Sequence, residues 1–337
     1  ASASIDLNGA EILEEDIDKV VEQAGTSVCA SNQQILHLLP QYFTVDGQVG
    51  VQEPLNMVGD TLEVSVHVVL VLKSVMQHLV KSVQKAGLVV QDVVLGSLAS
   101  SYAGLSKEVK SKGACLIDMG AASTDYCTFI DGIIRDTGIV PVGTANIVSD
   151  IAQVLHIDIE EAHDIYLRYG KAMSSLSKSE DSFELKTNTQ TSYESEEELT
   201  LDLSKANNRI SKATLAAIIE ARLEEVFALI QQKLVNSELY SRLGTGVILT
   251  GGGALLPGIV QLSHRTFDFP SKVLKGTHIQ GVPDDLKTPL YSCALGLLCY
   301  HLQSKIDGVS LSYAFNQPSS GKPLYKKFLG TVQKMFI

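Results

Sequence analysis

The sequence predicts an α/β fold in which a small α+β unit precedes a larger lobe, and three observations carry that expectation. The buried strand Ala114–Ile117 runs into Asp118, a tight turn containing Gly120, and the hydroxyl pair Ser123 and Thr124. A second apolar strand, Val247–Leu249, runs into Thr250 and the consecutive glycines Gly251, Gly252 and Gly253. Around them helical and extended periodicities alternate, the pattern of an α/β architecture. A chain of 337 residues that is 45% hydrophobic can bury a sizeable core, and its length suits two domains or one subdivided unit.

Charge and cysteine content narrow the class. A net charge of −11 argues against a general nucleic-acid binder, because affinity for a phosphate backbone needs a basic face. Cys29, Cys115, Cys127, Cys293 and Cys299 form no CxxC pair and lie mostly in apolar runs, as reduced core thiols of a cytoplasmic protein do. No apolar stretch reaches the roughly 18–20 residues of a membrane span, and no secretory leader opens the chain. Because it starts at Ala1 and a polar stretch leads straight into a helix, the sequence is expected to begin partway into a longer protein.

The elements follow in order. Glu11–Ala24 has a helical apolar face of Ile12, Leu13, Ile17, Val20 and Val21. Strands are expected at Ile35–Val45 and Leu62–Leu72, with turn chemistry at Asp46-Gly47 and Glu53-Pro54 between them. A helix over Val75–Ala86 ends at Gly87, a strand covers Val89–Leu95, and a short helix covers Ser97–Leu105. Thr124–Ile130 and Ile133–Val140 are strands joined by Asp131-Gly132, and Gly143-Thr144 opens a helix. Another helix starts at Asp158, with Glu161 as its capping-box partner and Gly170 at its close. The serine-rich stretch 174–205 reads as a long hairpin of Phe183–Thr187 and Glu198–Leu203. The helix Leu215–Leu234, the strand Gly246–Leu249 and the helix Ser292–Leu302 complete the lobe.

Chemistry concentrates at the two glycine-bearing turns. A strand ending in Asp, then a glycine turn and hydroxyls, sets backbone N–H groups around an anion. Asp118 is placed to hold the water shell of Mg²⁺, which keeps several waters when it bridges phosphates. Glycines after a buried strand let the backbone approach a ligand closely, although they also suit a plain tight crossover. Either motif alone is weak; the two together are specific for a nucleotide.

The segments Leu116–Gly170 and Gly246–Tyr300 resemble the bacterial FtsA family of actin homologues. The likeness rests on the hairpin, on Leu249-Thr-Gly-Gly-Gly-Ala-Leu-Leu-Pro-Gly258 and on Pro289-Leu-Tyr-Ser292. It extends through Glu15-Asp16-Ile-Asp18, Ile35-Leu-His37, Pro40-Gln41 and Leu98-Ala99-Ser100. The resemblance implies an actin-like, ribonuclease H-like two-lobed fold with an inserted small α+β domain, lacking its N-terminal portion. Residues 1–72 would be the inserted domain and 73–112 the rest of the first lobe. Residues 113–294 would form the second lobe, with a hairpin and helix subdomain at about 171–243, and 295–315 the closing helix and return to the first lobe. It further implies ATP and Mg²⁺, with Asp118, Gly120, Ala121, Ala122, Ser123, Thr124, Gly143, His163, Tyr166, Gly251, Gly252, Gly253 and Ala254 about the nucleotide.

Departures from the family pattern bear on activity. An actin-like fold needs two phosphate hairpins, and only the one at Asp118 is present. Gly96-Ser97 stands where the family has Glu-Pro, so a residue able to orient an attacking water is absent. The family's Glu-x-x-Lys near the adenine corresponds to His163 and Tyr166, and its Gly-Gly in the hairpin to Ala121 and Ala122. The expected protein therefore hydrolyses ATP weakly or not at all.

The end of the chain reverses the charge balance. After the linker-like stretch 316–323, no acid follows Asp307. On a helix over 324–337, Leu324, Tyr325, Phe328, Leu329, Val332, Met335 and Phe336 share a face, with Lys326, Lys327 and Lys334 on or beside the other. That is the pattern of a helix lying on an anionic membrane surface; a helix docked on protein is the alternative. By resemblance, the protein would polymerise like actin and tether the C-terminal peptide of FtsZ to the inner face of the cytoplasmic membrane at the septum. It would meet downstream division proteins there. The alternatives are an actin-fold phosphotransferase, for which no catalytic carboxylate or substrate pocket is evident, and a pilus-assembly relative that binds a membrane-protein peptide.

Overall fold

The computed structural model describes residues 1–177, 181–185, 209–276 and 280–307, with side chains to residue 303. The predicted strand Glu198–Leu203, the linker 316–323 and the helix 324–337 lie outside the described residues.

The first unit is one antiparallel sheet under one helix. It comprises β1 (Ser2–Glu11), α1 (Glu14–Ser27), β2 (Gln33–Val45), β3 (Gln48–Val51) and β4 (Val58–Leu72), in sheet order β1-β4-β2-β3. Ile17, Val20, Val21 and Ala24 on α1 meet Ile35, Leu38, Phe43, Leu62, Val64 and Val66 from the sheet. The first residues form a strand, where the sequence suggested direct entry into a helix. Alternation in Ile5 and Leu7 buries one face, but the strand holds only by pairing with residues some sixty positions away, such as Ile5 with Leu62. At the helix start the Leu13 amide donates to Asp16 Oδ2 at 3.0 Å, a local contact that stops α1 from fraying.

Next come α2 (Lys73–Lys85), ended by Gly87 at φ +79°, then α3 (Gly96–Tyr102) and α4 (Lys107–Ser111). The segment Val89–Leu95 is not a strand. No described strand lies beside it; the Val93 amide turns to Asp92 and the Leu95 amide to His37 Nε2 at 3.0 Å. β-branched composition alone does not make a strand without a neighbour to complete its ladder.

The second unit is a mixed sheet covered on both faces. β5 (Ala114–Met119), β6 (Thr124–Ile130) and β7 (Ile133–Val140) form an antiparallel meander. Then follow α5 (Thr144–Leu155), α6 (Ile159–Tyr169), β8 (Ser182–Glu184), β9 (Arg209–Ser211), α7 (Lys212–Asn236), β10 (Gly246–Thr250), α8 (Ile259–Phe267), β11 (Ser271–Val273) and α9 (Ser292–Asp307). The five strands run β11-β10-β5-β6-β7, with β10 parallel to both β5 and β11. Cys115, Ile117 and Met119 point into the core shared with α5, α7 and α8. Ala114 and Leu116 point the other way, to Ala103 and Leu295. Two-sided burial explains the unbroken apolar runs in β5 and β10.

One local expectation needs correction. Asp158 precedes α6 but its side chain makes no capping hydrogen bond. The described partner of the Phe183 strand is Arg209–Ser211, with Phe183 opposite Ile210. A polar seam joins the two units: buried Gln41 donates to the Ile134 carbonyl at 2.7 Å, Arg135 donates to Gln41 Oε1 at 3.2 Å, and His67 Nε2 lies 2.9 Å from Thr137 Oγ1.

Candidate functional site

The hairpin between β5 and β6 is built so that its tip faces outward. The Gly120 amide closes the turn on the Ser123 carbonyl at 3.0 Å. The amides of Thr144 and Ala145, at the start of α5, donate to the carbonyls of Gly120 and Ala121 at 3.0 and 2.9 Å. The Gly143 amide is held by Asn146 Oδ1 at 2.9 Å. First-turn donors that could have taken an anion themselves are thus engaged in holding the hairpin. The tip amides of Ala121, Ala122 and Ser123 are left with no hydrogen-bond partner among the described residues. Gly143 is required by this contact, since a Cβ there would stand 2.3 Å from the Ala121 carbonyl oxygen.

Two carboxylates flank the tip. Asp118 and Asp125 are opposite one another across β5 and β6, which puts both side chains on one face. Burial raises the Asp118 carboxyl above its ordinary range, opposed by the Ser100 hydroxyl that donates to Oδ2 at 2.6 Å. Burial and the neighbouring Asp118 also raise Asp125. No described cation pairs with either carboxylate, and no group of three or more metal-ligating side chains occurs among the described residues.

Beside the hairpin lies a cavity of about 920 Å³, lined by Ala121, Thr144, Val148, His163, Tyr166 and Leu256 among others. This is within the range of small-ligand sites, roughly 300–1,000 Å³. Its wall is mostly apolar, and burial pushes the Tyr166 phenol up to about 12. The glycine turn after β10 forms the far side. Gly251 sits at φ +82°, where a Cβ would be 2.5 Å from Asp118 Oδ1 and 2.6 Å from the Met119 carbonyl oxygen. Its amide donates to the Pro289 carbonyl at 3.1 Å, and Thr250 Oγ1 donates to Ser292 Oγ at 2.7 Å. These bonds fix the Pro289–Tyr291 turn, whose Leu290 lines the cavity.

Of the residues singled out in the sequence, the structure gathers Asp118, Gly120, Ala121, Ala122 and Ser123 at the hairpin, with Gly143 behind them. Ala121, His163, Tyr166 and Gly252 line the cavity, and Gly251 abuts the Asp118 carboxylate. Three others face inward. The Thr124 hydroxyl donates to the Val142 carbonyl at 2.8 Å, Gly253 packs on Met119 and Thr144, and Ala254 is buried in the core. Strand alternation sends Thr124 to the face opposite Ser123. The ten residues of the predicted surface helix, Leu324 to Phe336, lie outside the described residues. Sequence reasoning gave no site role to Ser100, to Asp125, or to Glu160 and Leu290, which line the cavity. Register across a short hairpin could have revealed Asp125; Ser100 comes from a distant helix and has no local signal.

The residues present suit a nucleotide with a hydrated divalent cation: unpartnered amides at the tip, two carboxylates beside it, and an apolar cavity next to both.

Comparison with known proteins agrees over most of the chain. The family model described as cell division protein FtsA matches residues 115–296, and the one for the SHS2 domain inserted in FtsA matches residues 1–70. FtsA of Borreliella burgdorferi is 38% identical over 298 residues, covering 88% of this chain and 69% of that protein. FtsA of Pseudomonas aeruginosa is 32% identical over 313 residues, covering 93% and 72%. Among solved structures, MreB5 of Spiroplasma citri bound to ADP aligns with a TM-score of 0.53 at 18% identity, over 70% of this chain and 68% of that one. The PilM-PilN type IV pilus biogenesis complex aligns at 0.54 and 16%, over 88% and 75%. At such identities these two likenesses speak to fold alone, which is actin-like.

Proposed function

This chain belongs to the FtsA family of cell division proteins, and from that premise we propose that it is a nucleotide-binding adaptor of the division machinery. The observation that carries the reading is the hairpin tip, with three unpartnered amides beside Asp118 and Asp125 and an apolar cavity of about 920 Å³ next to it. ATP would be held with its phosphates at Gly120–Ser123 and its base against His163 and Tyr166. Mg²⁺, when bound, would neutralise phosphate charge through waters held by Asp118. Gly251 and Gly252 would flank the nucleoside. In the solved relative, MreB5 is bound to ADP, which supports a nucleotide in the same fold.

Hydrolysis is weak or absent on this reading. Gly96 offers no polar side chain at the start of α3, and the nearest atom to a Cβ built there is Cys293 Sγ at 3.9 Å. Nucleotide would instead favour actin-like self-assembly. The terminal helix 324–337 would bind anionic lipid on the cytoplasmic side of the inner membrane, and the subdomain at about 171–243 would take the FtsZ C-terminal peptide. Each lysine near such a leaflet contributes about 1 kcal/mol. A single short helix binds modestly, and linkage in a filament raises avidity by roughly 10²–10⁴-fold.

Equilibrium titration with ATP and Mg²⁺, paired with phosphate-release measurements, tests the site. Saturable binding with background release supports the adaptor. Rapid turnover with an added small-molecule acceptor would establish a phosphotransferase instead. Liposome co-sedimentation tests the tail: Phe328→Glu should abolish pelleting with anionic vesicles, and unchanged pelleting would refute membrane docking.

A further inference from the structure

Ser100 was given no role at the site so far, yet it is fully buried and hydrogen-bonds Asp118 directly. Its hydroxyl donates to Asp118 Oδ2 at 2.6 Å. Oδ1, the other carboxylate oxygen, has no hydrogen-bond partner among the described residues and lies against Gly251.

The position of Ser100 is dictated by helix packing. α3 and α9 approach so closely at Gly296 that a Cβ there would be 1.9 Å from the carbonyl oxygen of Ala99, the residue before Ser100. The start of α9 is in turn tied to β10 by the Thr250–Ser292 bond. Ser100 therefore cannot follow Asp118 if the carboxylate rotates; the carboxylate must conform to Ser100. A charge-assisted hydrogen bond of this length fixes a side-chain rotamer.

We propose that Ser100 is a positioning residue for the divalent cation of the nucleotide site. By occupying Oδ2 it leaves Oδ1 of Asp118, beside Gly251, as the oxygen that would hold a cation's water. The inference rests on the nucleotide reading given above. It adds that the cation's contribution to affinity depends on α3, a helix that supplies none of the residues lining the cavity.

The test measures ATP affinity with Mg²⁺ and with excess chelator, on the full chain and on Ser100→Ala and Ser100→Thr. The wild-type chain should bind ATP more tightly with Mg²⁺. Ser100→Ala should lose about ten-fold of that gain while its metal-free affinity stays unchanged, and Ser100→Thr, which keeps the hydroxyl, should recover most of it. Mn²⁺ binding followed by electron paramagnetic resonance supplies a second readout and should weaken in the same order. A Ser100→Ala protein with the full Mg²⁺ gain overturns the proposal. So does equal loss with and without metal, which would mark a purely structural role. Absence of ATP binding by the wild-type chain would instead overturn the nucleotide reading itself, and this inference with it.

Discussion

Replacing Gly296 with alanine sets two physical effects of opposite sign against each other. Gly296 lies within α9, and alanine is the better helix former by about 1 kcal/mol, so local propensity predicts stabilisation. Packing predicts the reverse. The new Cβ would stand 1.9 Å from the Ala99 backbone oxygen and 3.1 Å from the Ser100 amide nitrogen. Real Cβ contacts essentially never fall below 3.0 Å, so the helices must part by about 1 Å. The obstacle is backbone, which cannot rotate aside as a side chain would. Parting the helices loosens Leu295 and the edge-to-face pair Tyr102–Tyr300, whose centroids are 5.6 Å apart. Overpacking costs roughly 1–3 kcal/mol, and a clash with rigid backbone at 1.9 Å belongs at the upper end of that range, above the propensity gain. Gly296→Ala should therefore lose about 1–2 kcal/mol in urea unfolding, read as a lower midpoint at constant slope. Gly96→Ala is the control: a Cβ there meets only Cys293 Sγ at 3.9 Å, so stability should hold or rise slightly. A Gly296→Ala protein as stable as wild type would refute the close-crossing geometry, and with it the account of how Ser100 is held.

Two further predictions concern the seam between the units and the hairpin. Burial lowers the pKa of His67 below its ordinary 6.5, against an opposing pull from Asp136. The unfolded chain then takes up a proton that the folded chain refuses. Stability should be complete above pH 6.5 and fall as pH drops from there toward the folded pKa, by at most about 1.4 kcal/mol per pH unit. His67→Gln should remove that slope from unfolding curves measured between pH 7 and 5; an unaltered slope would show that His67 is not its source. Thr124→Val should cost about 0.5–1.5 kcal/mol of stability through the lost bond to the Val142 carbonyl, yet leave ATP affinity unchanged. Weakened ATP binding without loss of stability would place that hydroxyl in the phosphate cradle after all.

Much of the large sheet was legible because its signals are local. The apolar runs of β5 and β10, the turn at Asp131-Gly132 and the Gly143-Thr144 helix start each read correctly from a few adjacent residues. The Val89–Leu95 error has the opposite cause: its composition suits a strand, but a strand exists only by pairing, and the described fold places none beside it. β1 shows the converse, a polar stretch made into a strand by distant β4.

The sequence by itself determined that a strand–Asp–glycine hairpin and a glycine turn occur in one α/β chain, since each is written in consecutive residues with their own backbone demands. Which groups the site contains was decided by tertiary structure. Alternation turned Thr124 inward, strand register set Asp125 beside Asp118, and the α3–α9 crossing carried Ser100 to the Asp118 carboxylate. Those placements depend on contacts between segments far apart in the chain, and no short window of sequence contains them.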